Sequence, residues 1–147
     1  MYKVSVVTPF HNVDMGMFQK CADSMRGQTL GFENIEWIIV VHNSKPHYLP
    51  LLIDMFKDDN NVIIKELHDD FHSPASPRNH GMQFVTGPYL GFLDGDDSYT
   101  PDCLEVVSRD MAQPYLEKFR RMTPSKIHAP EVCIQEKRID KILFTIY

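Results

Sequence analysis

Tyr89-Leu90-Gly91-Phe92-Leu93-Asp94-Gly95-Asp96-Asp97 sets a short apolar run directly against three carboxylates. The run has the length and composition of a strand buried on both faces. The acids sit together at its carboxyl end and repel one another, so a cationic partner is expected in the working state. Hard oxygen ligands of this kind suit Mg²⁺, Mn²⁺ or Ca²⁺ rather than zinc or copper. A few carboxylates do not fill an octahedral shell, and water with a diphosphate commonly completes it. A solvated acidic turn has the same composition, because Asp-Gly and Asp-Asp pairs favour turns. A calcium loop fits poorly. Asp94, Asp96, Ser98, Asp102 and Glu105 fall at its ligand positions, but Tyr99 stands where that loop needs glycine and Pro101 interrupts it.

Working outward, two periodicities alternate. Lys3 to Thr8 is short, β-branched and ends at Pro9, which reads as a strand. Asp14 then precedes Met15, Phe18, Cys21, Ala22 and Met25 at steps of three and four, an amphipathic helix closing near Gly27. Ile35 to Val41 and Val62 to Leu67 read as strands, and Tyr48 to Phe56 as a helix whose start Pro50 obscures. Ser76-Pro77 predicts another helix opening, with Ser76 as N-cap and Gly87 as the stop. Thr100-Pro101-Asp102 opens the last, with Asp102 in its first turn. The order β-α-β-α-β-α-β-α predicts an α/β protein, a three-layer open sheet that is mostly parallel. Ligands of such sheets bind outside the carboxyl ends of the strands. That rule draws Pro9–Asn12, His42–Ser44 and Asp94–Asp97 to one edge.

The chain of 147 residues suits a single domain, and its 43% hydrophobic content is ordinary for a globular protein. Folding at this length hides roughly 70% of the unfolded chain's surface, enough for a core without disulfide or metal staples. The three cysteines, Cys21, Cys103 and Cys133, are odd in number and lack metal-ligand spacing, which fits reduced thiols in the cytoplasm. No apolar run approaches a membrane span, and Met1 to Pro9 lacks a signal-peptide core. A net charge of −5 argues against nucleic acid as a partner. Residues 1–110 carry 8 basic and 16 acidic side chains, and residues 111–147 carry 7 and 4, so the character changes near Asp110. Two units are therefore expected, a domain over 1–110 and a truncated or divergent tail over 111–147 packing on it.

Other chemistry finds less support. His68 and His72 lie in a polar stretch rather than on a helix, which disfavours a transition-metal site. There is no Gly-x-Ser-x-Gly elbow, and Cys21 lies on an apolar helix face where an inert thiol is the default. Residues 116–121 form a short basic patch that reads as a solvated helix face. Lys141 to Tyr147 fits a strand or a short helix equally well.

Several segments together resemble the nucleotide-sugar-binding half of a family 2 glycosyltransferase with the GT-A fold. They are Val4 to Asn12, Cys21 to Met25 with Gln28-Thr29, Glu36 to Ser44, Pro77-Arg78-Asn79-His80-Gly81, Thr86 to Asp97 and Pro101 to Glu105. The resemblance implies a GT-A sheet of Rossmann-like type over residues 2–110. It also implies that Asp94 and Asp96 form the DxD motif, the second Asp holding Mn²⁺ or Mg²⁺ on the donor's diphosphate. Asp94 would contact the ribose or the metal. Pro9, His11 and Asn12 match the family's first loop, beside the nucleotide base. His42 stands where relatives usually carry an acidic residue that hydrogen-bonds the base, and Val41 replaces the acid before it. Arg78 and Asn79 match an Arg-Asn pair close to the nucleotide.

The chemistry agrees with these roles. Glycosyl transfer gathers negative charge on the departing diphosphate, which a divalent metal stabilises as a Lewis acid. Arg78 adds a charge-assisted hydrogen bond to phosphate. The resemblance implies a nucleotide-diphosphate sugar donor, a UDP-sugar first, and a hydroxyl acceptor on a glycan or lipid. It admits a homodimer and peripheral association with the inner face of the membrane. The general base of inverting relatives lies well beyond the DxD motif. Glu117, Glu131, Glu136 and Asp140 are the only acids in the tail, and nothing selects one. A non-catalytic nucleotide-sugar-binding module, or a fragment of a larger enzyme, is the alternative reading.

Overall fold

The computed structural model describes residues 1–111 and 142–145. Four β-α units follow one another: β1 (Val4–Phe10), α1 (Met15–Arg26), β2 (Ile35–His42), α2 (Tyr48–Met55), β3 (Val62–Leu67), α3 (Ala75–Met82), β4 (Tyr89–Phe92) and α4 (Cys103–Met111). A 3-10 turn over Phe32–Asn34 leads into β2, and β5 (Ile142–Thr145) adds a final strand. The strand order is β3-β2-β1-β4-β5, and every pairing is parallel. The expected α/β layering is therefore present, with a sheet that is parallel throughout the described residues. The chain reverses direction across the sheet between β1 and β4, which makes that junction the switch point where ligands bind.

Alternation along the central strands divides the core into two layers. Val4, Val6, Phe10, Ile35, Trp37 and Ile39 face one way, against Phe18, Cys21, Ala22 and Met25 of α1, Leu52 of α2 and Leu104 of α4. Val7, Ile38, Val40, Leu90 and Phe92 face the other way, with Val85 and the partly buried Met82 and Phe84. Trp37 is wholly buried, and its indole N–H donates to the Thr8 hydroxyl at 2.8 Å. At the amino end of β2 the buried Glu36 accepts from Ser5 Oγ at 2.5 Å and from the Thr86 N–H and hydroxyl at 2.8 Å each. Gly87 N–H in turn donates to Ser5 Oγ at 2.9 Å. A Cβ on Gly87 would lie 2.7 Å from that oxygen, so glycine is required for the close approach. These bonds fasten the link between α3 and β4 to the sheet end opposite the site.

Helix boundaries depart from expectation in two places. Asp14 caps α1 as anticipated, its Oδ1 accepting from Met17 N–H at 3.0 Å. Ser76, in contrast, is no cap. The third helix begins at Ala75 and stops at Gln83 rather than Gly87, and the Ser76 hydroxyl donates to Asp69 instead. The fourth helix starts at Cys103, so Asp102 precedes the helix instead of lying in its first turn. Of the ambiguous segment 141–147, Ile142–Thr145 is a strand beside β4. Glu117, Glu131, Glu136, Asp140, Cys133 and the basic patch at 116–121 lie outside the described residues.

Candidate functional site

The carboxyl ends of β1, β2 and β4 open onto a cavity of about 270 Å³. Its walls include Pro9, Phe10, His11 and Val13 from the first strand end, His42 and Asn43 from the second, and Asp94, Gly95 and Asp96 from the fourth. Phe71, His72, Ser73 and Pro74 of the segment after β3, with Pro77 of α3, close the remaining side. Two chemically different ends result. Carboxylates form one, and imidazole rings among proline and phenylalanine form the other.

At the acidic end Arg78 Nη2 holds Asp94 Oδ1 at 2.6 Å, and the guanidinium carbon lies 5.6 Å from the centre of the Phe92 ring. Arg78 Nε is buried without a hydrogen-bond partner among the described residues. Asp96 and Asp97 are exposed beyond it. Beneath them the Cys21 thiol lies 3.7 Å from the Asp94 carbonyl oxygen. Burial, and then the charges of Asp97, Asp96 and Asp94, push that thiol up to about 12, so it is an inert core group rather than a nucleophile. Among the described residues no three His, Cys, Asp or Glu side chains gather into a ready metal cage. The donor set fits a hard divalent cation nevertheless, because Mg²⁺-type sites take one or two carboxylates and fill the rest of the shell with water and phosphate.

The other end is built on two loops that turn through left-handed asparagines, Asn12 at φ 47° and Asn43 at φ 45°. Asparagine tolerates that region better than other residues with a Cβ, apart from aspartate. Asn12 N–H donates to Ser44 Oγ at 3.1 Å, and Asn12 Oδ1 accepts from Lys45 N–H at 2.9 Å. Asn12 thus braces the two strand ends against each other. His11 Nδ1 lies 2.8 Å from the His42 carbonyl oxygen, an acceptor only, so that nitrogen carries the hydrogen.

His42 is 5% exposed, and its Nε2 lies 2.8 Å from Asp69 Oδ1. Asp69 also accepts from the Ser76 hydroxyl and from Phe71 N–H at 2.9 Å. Bonds from Ser76 and then His42 hold its carboxyl down at about 2. Asn43 completes the clasp, donating to the Asp69 carbonyl at 2.9 Å and accepting from Asp69 N–H at 3.1 Å.

Of the residues singled out from the sequence, Pro9, His11, His42, Asp94 and Asp96 line the cavity. Arg78 reaches it through Asp94, and Asn12 stands behind it as a brace. Asn79 is in neither position. It lines a neighbouring cavity of about 510 Å³ with Leu67, Ala75, Ser76, His80 and Gln83, which shares Phe71 and Ser73 with the first. Sequence reasoning placed Asn43 at this edge without a role of its own, and missed Asp69 and Phe71. The parallel register of β2 and β3, which pairs His42 with Leu67, is the signal that would have brought Asp69 to His42.

Comparison with known proteins agrees with this fold. The chain is 31% identical over 108 residues to the minor teichoic acid biosynthesis protein GgaB of Bacillus subtilis, covering 72% of this chain and 12% of that one. It is 33% identical over 95 residues to a poly(ribitol-phosphate) beta-glucosyltransferase of Bacillus spizizenii, covering 65% and 15%. Among solved structures, Staphylococcus aureus TarS residues 1–349 in complex with UDP superpose with a TM-score of 0.67 at 21% identity, over 75% of this chain and 32% of that one. A mannosyltransferase of Pyrobaculum calidifontis in complex with GDP-Man and Mn²⁺ gives 0.60 at 15% identity, over 78% and 34%. The chain thus spans well under half the length of these proteins. Residues 5–120 match the family Glycosyl transferase family 2, and the chain belongs to that family.

Proposed function

We propose that the cavity binds a nucleotide-diphosphate sugar, base toward His42 and diphosphate toward Asp96, for transfer of the sugar to a hydroxyl of a glycan or lipid. The observation that carries this reading is the polarity of the cavity. Carboxylates stand at one end and ring-binding surfaces at the other, both at the carboxyl edge of a parallel sheet. Support comes also from solved relatives of the same fold whose complexes hold UDP, UDP-GlcNAc or GDP-Man.

Asp96 would hold a divalent cation with Asp94, whose Oδ2 is not engaged by Arg78. Bound there, the cation supplies Lewis-acid stabilisation of the departing diphosphate. The chain's own residues prepare the rest. Arg78, fixed by Asp94 and the Phe92 face, places a permanent positive charge beside the acidic end, where it favours phosphate oxygens. Pro9, Phe71 and Pro74 give the opposite end apolar surface for a flat ring.

Calorimetric titration of UDP and GDP into the 147-residue chain, with and without Mn²⁺, tests the reading. Binding that needs Mn²⁺ and falls at least tenfold in Asp96→Ala is expected. Asp96 is exposed, so its removal leaves the fold intact. A folded chain that binds neither nucleotide would overturn it.

A further inference from the structure

We infer that Asp69 is a positioning residue that fixes the tautomer of His42, so that the cavity selects nucleotides whose base presents a ring N–H. The inference rests on the nucleotide reading above and adds which bases the site accepts.

Each partner of His42 restricts where its ring hydrogen can sit. Asp69 is ionised near neutral pH, and a carboxylate only accepts hydrogen bonds. At 2.8 Å from Asp69 Oδ1, His42 Nε2 must therefore carry a hydrogen. A neutral imidazole bears one N–H, so Nδ1 keeps its lone pair. No hydrogen bond engages His42 Nδ1 among the described residues, and the only buried side-chain nitrogen or oxygen left without a partner there is Arg78 Nε. His42 Nδ1 therefore opens to the cavity that the residue lines.

An acceptor held in a largely buried side chain rewards a donor and penalises a second acceptor, because two facing lone pairs leave both unsatisfied. Uracil N3 and guanine N1 carry a hydrogen, whereas cytosine N3 and adenine N1 carry a lone pair. The site is thus selective for the first pair of bases. Asp69 touches no ligand in this scheme. It works through His42, and the bonds from Ser76, Phe71 N–H and Asn43 keep it in place.

The surroundings make the tautomer breakable. Asn43 Nδ2 lies 3.1 Å from the same His42 Nε2 and is a donor. Once Asp69 no longer accepts, that donor favours a bare Nε2 and moves the ring hydrogen to Nδ1. Asp69→Asn adds a second amide able to donate to Nε2.

Two measurements on the full chain test this. Nitrogen-15 spectra of the histidine rings, recorded where His42 is neutral, should show Nε2 protonated and Nδ1 bare in the parent, with the pattern reversed in Asp69→Asn. Calorimetry with UDP and CDP in the presence of Mn²⁺ should show UDP bound at least tenfold more tightly, and Asp69→Asn should lower the UDP-to-CDP ratio at least tenfold. Ser76→Ala loosens the same segment but leaves Asp69 on His42. It should weaken both nucleotides while preserving their ratio, whereas a purely structural role of Asp69 predicts that same preserved ratio for Asp69→Asn. A protonated Nδ1 in the parent, or equal UDP and CDP affinities, would overturn the inference and leave the nucleotide site standing. Binding of neither nucleotide by the folded chain would overturn both.

Discussion

Asp69 carries more of the site's architecture than its place in a polar loop implies. It ties Ser76, His42 and Phe71 N–H to one carboxylate, and those bonds, Ser76's foremost, lower its titration from 3.8 to about 2. A depressed acid contributes stability above its unfolded value and loses it as pH falls through the folded one. The clasp is therefore complete above about pH 4 and fails on acidification toward pH 2. The Asp69 carboxyl, followed by NMR, should titrate near 2, and Asp69→Asn should remove that acid step in the order of residues 68–74. The Trp37–Thr8 pair makes a second prediction at this scale. Thr8→Val keeps the shape and removes the acceptor of a wholly buried indole N–H. An unsatisfied buried donor costs about 1–3 kcal/mol, so the unfolding free energy should fall by that much, read as a lower denaturant midpoint with an unchanged m-value.

Among the elements, α3 positions the charged wall of the site, since it carries Arg78 and lies against β1 and β2. Gly81 permits the approach. A Cβ there would stand 2.5 Å from Val7 Cγ1 and 3.1 Å from Val40 Cγ2. Gly81→Ala gains about 1 kcal/mol of helix propensity and meets an overpacking cost of about 1–3 kcal/mol. Chemical denaturation should show a net loss, with weaker nucleotide binding as Arg78 moves off Asp94. The elements also show what was legible beforehand. The runs at 3–8, 35–41 and 89–93 read correctly as strands because apolar and β-branched residues fill positions buried on both faces, although the first strand continues through Pro9 to Phe10. Asp14 was readable as a cap because its partner, Met17 N–H, is local. Ser76 misled because its hydroxyl serves Asp69, a tertiary partner that outweighs the local preference for capping. Ile142–Thr145 was ambiguous because four apolar residues satisfy either period, and pairing with β4 decides for a strand.

Across the whole molecule, the sheet separates fastening from function. Its amino edge is closed by Glu36, Ser5, Thr86 and Gly87, which satisfy one another. Its carboxyl edge keeps unpaired polar groups around a cavity. That division followed from the alternation of strands and helices, which is why Pro9, His11, His42, Asp94 and Asp96 could be assigned to one edge from the sequence. The cross-chain contacts that refine the edge, Asp69 on His42 and Arg78 on Asp94, needed the folded register. The central claim is that nucleotide binds only at the carboxyl edge. Mapping amide shifts of the isotopically labelled 147-residue chain during titration with UDP and Mg²⁺ tests it most directly. The account predicts shifts at His11, His42, Asn43, Phe71 to Ser73 and Asp94 to Asp96, with Ser5, Glu36, Thr86 and Gly87 unmoved. Shifts gathered at the amino edge, or a folded chain whose spectrum does not respond, would contradict it.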